Sequence, residues 1–336
     1  MTKILTGLQP SGTLHIGNYL GSILNWHDTV NEVPNAQAFL TIVDLHAITI
    51  KQNPDALRQQ IYELAAVLLA SGVDYKRHVV FPQSANPDHT YAGWLYTCIT
   101  PMGWLDRMTQ FKEKKQKTTE YKESVGAGLY AYPTLMAADI LLYDADLVPV
   151  GIDQKQHVEL TCDIANRFNS LYGETFRIPE FKTNKETTKI FDLQHPEKKM
   201  SKSDQDDAGR ISLTDSSDQI RKKIMRAVTD DENEVRFDSE KKPGISNLLV
   251  IMAAVTGRKK EDIATEFRTA GYGAFKGAVA EAVITYLSPV QQKMRDYLDD
   301  IPQLQQILDE GAARAHSISH PKVLEAVTKM GLYLHG

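Results

Sequence analysis

Four short apolar runs in the first half of the chain have the length and the β-branched or aromatic content of buried strands. They lie at 3–8, 38–44, 78–81 and 147–151. Longer stretches with helical periodicity lie between them, an apolar run over 14–26 and an amphipathic run over 56–70. Strands that alternate with helices predict an α/β fold built on a Rossmann-like, doubly wound parallel sheet.

The pattern changes at about residue 205, within a polar linker at 204–207. From residue 216 onward the pattern is helical, and we expect breaks at 242–244 and at the glycines 257, 271, 273 and 277. The sequence therefore predicts two domains, an α/β domain over 1–203 and a smaller C-terminal helical domain over 204–336.

The 336 residues are 42% hydrophobic and 24% charged, which is typical of globular proteins and excludes collagen-like and disordered classes. Cys98 and Cys162 form neither a disulfide scaffold nor a metal-binding spacing, so we expect reduced thiols and a cytoplasmic location. No signal peptide or membrane-spanning run is evident, so we expect no membrane association. Because the net charge is −5, a polyanionic partner requires local basic patches, and we expect no DNA partner.

The turn after the first predicted strand carries the first candidate site, which spans 7–19. It brings Gln9, Ser11 and the imidazole of His15 to the start of a predicted helix, where free backbone N–H groups and the helix dipole favour phosphate. Gly17 lets a nucleotide approach the backbone because glycine has no Cβ. By itself a His-x-Gly sequence is more often an ordinary turn with a capping or core histidine.

The second candidate site is the sequence Lys-Met-Ser-Lys-Ser at 199–203. Lys199 and Lys202, three residues apart on a serine-flanked loop, are suited to holding a triphosphate between two mobile positive charges. A solvated, charged surface loop is an equally good interpretation of this segment alone. Both sites together, in this order and about 180 residues apart, are more specific than either one.

The two segments resemble the HIGH and KMSKS signatures of the class I aminoacyl-tRNA synthetases. The first signature has Asn18 in place of its second histidine, which is typical of the tryptophanyl branch of that family. Four further blocks are similar to the bacterial members of this branch. They lie at 108–114, 132–139, 149–157 and 242–248. The resemblance implies an enzyme that activates L-tryptophan with ATP as tryptophanyl-adenylate and transfers it to the 3′-terminal ribose of the tryptophan tRNA.

The resemblance also implies an ATP site, with Mg²⁺ bound through the ATP phosphates and no metal site on the protein. The residues assigned to ATP are Gln9, Pro10, Ser11, Gly17, Asn18, Gly151, Ile152, Asp153, Ile190, Lys199, Met200, Ser201, Lys202 and Ser203. Catalytic roles fall on Gln9, His15, Lys199 and Lys202. The tryptophan carboxylate is already ionised, so the reaction needs no general base and depends on positioning and charge stabilisation.

The amino-acid pocket is predicted on one face of a helix over 132–139. Helical spacing puts Tyr132, Met136 and Asp139 on that face, where a buried carboxylate can accept the indole N–H, the only polar group of the tryptophan side chain. By resemblance Asp139 is this acceptor, and a structural salt bridge is the alternative. The further candidates are His46 for stacking on the indole, Gln110, Val148 and Val150 as walls, and Gln154 for the α-amino group.

Members of this branch are homodimers, and the apolar stretch 91–105 is a candidate dimer face. The resemblance places a dimerisation and substrate-binding insertion in the first domain and tRNA recognition in the second. Basic runs are candidate tRNA contacts, with solvated helix faces as the alternative. They lie at 112–117, 221–223 and 258–260.

Three other functions compete with this interpretation. A tyrosyl-tRNA synthetase shares the architecture and the ATP signatures, but Met136 and Asn18 disfavour it. A nucleotidyltransferase without an RNA substrate is disfavoured by the 199–203 segment and the long helical second half. A sensor that binds tryptophan or tRNA without catalysis has no use for the pyrophosphate grip of Lys199 and Lys202.

Overall fold

The computed structural model describes residues 1–108, 126–151, 154–183, 189–201 and 207–333. Within them, five strands form one sheet in the order β3-β2-β1-β4-β5, and every neighbouring pair is parallel. The strands are β1 (Lys3–Leu8), β2 (Gln37–Ile42), β3 (Val79–Pro82), β4 (Leu147–Val150) and β5 (Glu180–Thr183). The predicted Rossmann-like α/β class and all four predicted strands are confirmed. The fifth strand was not predicted, because its short Glu-Phe-Lys-Thr sequence at the sheet edge contains no apolar run.

Helices surround the sheet and make up most of the second half of the chain. The described α-helices are α1 (Ile16–Asn18), α2 (Leu24–Glu32), α3 (Asp44–Ala47), α4 (Pro54–Ala70), α5 (Asp88–Ile99), α6 (Met102–Leu105), α7 (Ala127–Leu141), α8 (Lys155–Tyr172), α9 (Ser217–Met225), α10 (Pro243–Thr256), α11 (Lys260–Phe267), α12 (Tyr272–Asp299) and α13 (Ile301–Lys329). A π-helical turn, Tyr19–Ile23, joins α1 to α2, and 3₁₀ turns lie at Gln83–Ala85 and Asp207–Gly209. No described helix is long and apolar enough to cross a membrane.

The predicted breaks in the helical half are confirmed only in part. Pro243 begins α10, and Gly257 and Gly271 adopt positive φ values of 69° and 80° at helix boundaries. Gly273 and Gly277, however, lie inside α12. The buried apolar face of α12 outweighs the helix-propensity cost of glycine, which is about 1 kcal/mol per residue.

Alternate residues of the strands face two separate hydrophobic cores. Ile4 and Leu40 pack into the core shared with α4 and the C-terminal helices, whereas Leu5 and Phe39 pack into the core shared with α5, α7 and α8. Both faces of the sheet are therefore covered, as a doubly wound parallel sheet requires.

The last helix, α13, contributes residues to both cores and covers the edge of β3 that is not paired with β2. At Gly311 the helix backbone lies so close to the strand that an added Cβ would overlap the carbonyl oxygen of Val80. Nearby, the guanidinium of Arg314 donates hydrogen bonds to the carbonyl oxygens of Tyr75 and His78, over 2.7 and 3.2 Å. The C-terminal helix thus protects a strand edge in the first half of the chain. The domain boundary at 203/204 stays a prediction.

Candidate active site

A cavity of about 430 Å³ opens at the carboxyl ends of β1 and β4. The strand order reverses between these two strands, and such switch points are where doubly wound sheets bind ligands. The lining consists of Leu5, Thr6, Gly7, Leu8, Gln9, Gly21, Ser22, Trp26, Val43, His46, Thr49, Tyr132, Met136, Asp139, Ile140, Val148, Pro149, Val150, Gly151, Gln154 and Lys199. The structure therefore brings together seven of the eight candidates for the amino acid and three for ATP (Gln9, Gly151 and Lys199).

Asp139 is the hydrogen-bonding centre of the cavity wall. It lies on α7 with Tyr132 and Met136, and all three line the cavity, as their spacing predicted. Its Oδ2 accepts from Nε2 of His46 over 2.9 Å, and its Oδ1 accepts from Nε2 of Gln83 and Nδ1 of His89, each over 2.6 Å. A carboxylate has about four acceptor positions, so one remains for a further donor.

The same hydrogen bonds keep the buried carboxyl ionised. Burial by itself raises the pKa of Asp139, but hydrogen bonds from His46 and His89 outweigh it and lower the pKa below its ordinary value. Asp139 is therefore an anionic acceptor in a cavity wall that contains both polar and apolar side chains.

A series of hydrogen bonds between buried side chains extends from Asp139 away from the cavity. Nε2 of His89 lies 2.7 Å from the Tyr143 hydroxyl, which accepts from the side-chain amide of Asn86 over 3.0 Å. Because the Asn86 amide can only donate here, we assign the Tyr143 hydroxyl as the donor to His89. His89 then carries its proton on Nδ1 and donates it to Asp139. We call Asp139, His89, Tyr143 and Asn86 the Asp139 relay.

His46 and Tyr132 line the cavity, and each also contacts a neighbouring polar side chain. His46 lines the cavity, but its Nε2 is hydrogen-bonded to Asp139 and its ring meets Tyr132 edge-on, with centroids 6.0 Å apart. The Tyr132 hydroxyl lies 2.8 Å from Nε2 of His157, and burial raises the pKa of Tyr132 to about 12, so the phenol is neutral at pH 7. The stacking role of His46 stays a prediction.

The first signature caps its own helix. Nδ1 of His15 accepts from the backbone N–H of Gly17 over 3.1 Å, and Oδ1 of Asn18 accepts from the backbone N–H of His15 over 3.3 Å. An added Cβ at Gly17 would lie 3.0 Å from the His15 ring, so a larger residue here would force that ring to move. Asn18 thus has a local capping role.

Backbone hydrogen bonds join the first signature to 211–213, a segment that follows the second signature in the chain. The N–H of Ile16 donates to the carbonyl of Ile211, and the N–H of Leu213 donates to the carbonyl of Leu14, each over 2.9 Å. The side-chain amide of Asn247, from the 242–248 block, accepts from the backbone N–H of Phe191 and donates to its carbonyl oxygen, each over 2.9 Å. Phe191 in turn forms a β-bridge with Lys199. The second half of the chain therefore fixes Lys199 at the cavity.

The remaining ATP candidates lie beside the cavity rather than in its described lining. They are Pro10, Ser11, Gly17, Asn18, Ile190, Met200 and Ser201, together with the catalytic candidate His15. Ile190 and Met200 are buried in the hydrophobic core, where the Met200 N–H donates to the Ile190 carbonyl over 3.1 Å. Gln110, Ile152, Asp153, Lys202, Ser203 and the basic run 112–117 lie outside the described residues.

One basic run is not a free positive patch. Lys223 is buried, and its Nζ lies 2.7 Å from carboxylate oxygens of both Asp215 and Asp207. Arg221 forms an ion pair with Glu281. Lys222 has an exposed side chain, but the charges of Arg221 and Lys223 are paired with carboxylates. The 221–223 run therefore offers a polyanion less positive charge than the sequence suggests.

The sequence analysis did not identify Gln83 and His89, which hold Asp139. A signal was present, because Gln83 follows directly after β3 and His89 lies six residues further on. Polar residues at the carboxyl ends of parallel strands meet at one edge of the sheet. What no local pattern shows is that both side chains bond to a residue more than 45 positions away.

A five-stranded parallel sheet of this order, with Gln9 of the first signature and Lys199 of the second lining the same cavity as a buried anionic acceptor, defines a Rossmann-type nucleotide-binding enzyme of the class I synthetase kind. A family model described as "tRNA synthetases class I (W and Y)" matches residues 1–288. The chain belongs to this family of class I tRNA synthetases for tryptophan and tyrosine.

Individual relatives agree with this membership. A tryptophan–tRNA ligase of Clostridium tetani is 48% identical over 331 residues, which cover 98% of this chain and 96% of that protein. Among solved structures, a tryptophanyl-tRNA synthetase of Campylobacter jejuni complexed with ADP and tryptophan aligns with a TM-score of 0.85 and 36% identity, covering 98% of this chain and all of that one. The Mycoplasma pneumoniae tryptophanyl-tRNA synthetase aligns with a TM-score of 0.83 and 37% sequence identity, and the alignment covers 99% of this chain and 98% of that one.

Proposed function

We propose that this protein is a tryptophan–tRNA ligase, which activates L-tryptophan with ATP and transfers it to the 3′-terminal ribose of its tRNA. The observation that carries the proposal is the ionised, buried Asp139 at the wall of a cavity at the switch point. The near full-length relatives with this name support it.

The cavity suits an indole better than a phenol. Leu5, Met136, Val148 and Val150 give it apolar walls, and Asp139 offers one acceptor position to the indole N–H. Met136 provides no hydrogen bond for a tyrosine hydroxyl. Phenylalanine would leave the acceptor unpaired, whereas apolar contacts alone discriminate by only ~1–3 kcal/mol.

Activation joins the tryptophan carboxylate to the α-phosphorus of ATP and releases pyrophosphate. The C. jejuni relative complexed with ADP and tryptophan supports binding of both a nucleotide and this amino acid. In the proposed mechanism Gln9 and His15 hold the α-phosphate and adenosine side, and Lys199 and Lys202 stabilise the charge that moves onto pyrophosphate. The tRNA hydroxyl then attacks the adenylate carbonyl, and AMP leaves.

Mg²⁺ fits this site as an ion that enters with ATP. Asp139 is the one carboxylate among the described lining residues, and it already accepts three hydrogen bonds. The described lining therefore offers no cage of oxygen ligands, which agrees with coordination mainly by phosphate oxygens. Bound there, Mg²⁺ would neutralise phosphate charge.

A homodimer, a cytoplasmic location and tRNA recognition by 204–336 complete the proposal. Tyr91 and Trp94 of α5 and Met102 of α6 are 43%, 65% and 66% exposed, which is unusual for neighbouring large apolar side chains and suits a subunit contact.

ATP–pyrophosphate exchange tests the proposal, run with tryptophan, with tyrosine and without an amino acid. We expect exchange with tryptophan alone. Faster exchange with tyrosine would indicate a tyrosyl-tRNA synthetase. No exchange with either amino acid would favour a sensor that binds tryptophan or tRNA without catalysis. Charging of tryptophan tRNA, measured with labelled tryptophan, then tests the second step.

A further inference from the structure

Two histidines and a carboxylate meet outside the cavity, where the last helix passes the start of α5. Asp88 is buried at the first position of α5, and His316 and His320 lie one turn apart on α13 with partly exposed side chains. Nδ1 of His316 is 3.0 Å from Oδ2 of Asp88, and Nδ1 of His320 is 3.2 Å from Oδ1. We call these three residues the Asp88 cluster.

The ligand types and spacing of the Asp88 cluster suit a transition metal. Histidines four positions apart on a helix present neighbouring nitrogens, and these two rings lie 4.7 Å apart between centroids. The three ligand atoms lie within 4.8 Å of one another. Two atoms bonded to one tetrahedral zinc ion at about 2.0–2.2 Å lie ~3.3–3.6 Å apart, so side-chain rotations must bring the three ligand atoms closer together.

A second layer of hydrogen bonds holds the carboxylate in place. Oδ2 of Asp88 accepts from the Ser319 hydroxyl over 2.5 Å, and Ser319 accepts from the side-chain amide of Asn86 over 2.9 Å. The Oδ1 of Asn86 accepts from the backbone N–H of Asp88 over 3.2 Å. Metal ligands are commonly oriented by such outer partners, which are absent from most surface ion pairs.

We propose that Asp88, His316 and His320 bind a divalent transition metal, zinc in particular, with water in the remaining position. Two imidazoles and one carboxylate form a borderline N₂O set that zinc accepts and that calcium and magnesium do not favour. The site joins α13 to α5 outside the cavity and shares Asn86 with the Asp139 relay. Its role is to fasten the helix that covers β3.

The test uses full-length protein with any affinity tag removed, stripped by a chelator and titrated with Zn²⁺ by calorimetry. We expect one saturable site per chain and a Tm that rises with Zn²⁺ concentration. Co²⁺ in place of Zn²⁺ should give the visible absorption of a low-coordinate nitrogen and oxygen site. The absence of saturable binding overturns the proposal.

Variants locate the site. His320→Ala removes a partly exposed ligand and should weaken Zn²⁺ binding at least about tenfold. Asp88→Asn should do the same, with circular dichroism to check folding. The matched control is His195→Ala, which removes an exposed histidine 3.6 Å from the carboxylate of Glu197 and should bind Zn²⁺ as the wild type does.

A second control addresses the cavity, where His46 and His89 flank Asp139. The titration is repeated with saturating tryptophan. Unchanged Zn²⁺ affinity supports the Asp88 cluster. Displacement of Zn²⁺ by tryptophan, or wild-type affinity in His320→Ala, would place the metal elsewhere and refute the assignment.

Discussion

Asp139 shows how much a single side chain depends on its partners. Three donors surround it, and they hold an otherwise costly buried charge in one orientation. An acceptor fixed in this way loses little conformational freedom when an indole arrives, so its hydrogen bond contributes to selectivity.

Asp139→Asn should lower kcat/KM for tryptophan by about 10- to 100-fold, because a hydrogen bond to a charged group contributes ~1.5–3 kcal/mol. The new amide would also point a donor at His46 or His89. ATP–pyrophosphate exchange with varied tryptophan and varied ATP gives the measurement, and the KM for ATP should stay the same. An unchanged kcat/KM for tryptophan would reduce Asp139 to a structural role.

Tyr143→Phe tests the Asp139 relay one step further back. It removes the donor to His89, and we expect a loss of about fivefold in kcat/KM for tryptophan, or ~1 kcal/mol, with little change for ATP. Tyr172→Phe, at the end of α8, is the matched control and should behave as wild type. Equal losses toward both substrates would instead indicate general destabilisation.

At this scale the sequence predicts the residues on one helix but not the partners they meet. The spacing of Tyr132, Met136 and Asp139 determines a common face, because helix geometry is local. The bonds from Gln83 and His89 join distant segments, and their distances depend on how the sheet and α7 pack. No periodicity in the sequence contains that information.

At the scale of elements, the contact between α13 and β3 depends on one residue without a side chain. Gly311→Ala would force its methyl group into the Val80 carbonyl, so we expect a loss of about 1–3 kcal/mol or more in the free energy of unfolding. Gly277→Ala in α12 meets nothing within 4 Å and should stabilise by about 0.5–1 kcal/mol. Urea unfolding measures both, and equal effects would contradict the close contact.

A second junction, between α10 and α12, depends on a buried lysine. Nζ of Lys242 lies 2.7 Å from Asp230 and 3.0 Å from the Tyr272 hydroxyl. Burial raises the pKa of Asp230, but hydrogen bonds from Lys242 and Tyr272 outweigh it and lower the pKa from 3.8 to about 2. The 242–248 block thus contributes a structural lysine as well as Asn247.

This junction predicts an acid-dependent loss of stability. The folded pKa of Asp230 is below the unfolded one, so its contribution is complete above about pH 4 and disappears as the pH falls toward 2. Between pH 5 and pH 3 the unfolding free energy of Asp230→Asn should therefore fall less steeply than that of the wild type. We expect a difference of up to about 1 kcal/mol over this interval, less where solvent screens the pair. Parallel slopes would contradict this account.

The elements themselves were largely predictable. Short apolar runs predicted the strands β1 to β4, and an amphipathic run predicted the helix α4, since burial imposes a pattern on them. β5 was missed because it lacks such a run. The position of α13 was missed because its pattern shows only that one face is buried, and not against which partner.

At the scale of the whole molecule, the exposed apolar face on α5 and α6 is the proposed subunit contact. Trp94→Asp should convert the dimer to a monomer in sedimentation experiments, because a charge in a buried interface is unfavourable. Leu171→Asp, at a side chain 53% exposed on α8, is the control and should stay dimeric. A dimeric Trp94→Asp protein would place the contact elsewhere.

The placement of α13 also has a consequence for synthesis on the ribosome. β3 leaves the ribosome long before residues 301–329, which cover its edge. Until then the growing chain carries a strand with unpaired N–H and C=O groups, the kind of edge that recruits other chains. The interval between translation of β3 and translation of α13 is therefore the period in which the nascent protein most needs a chaperone.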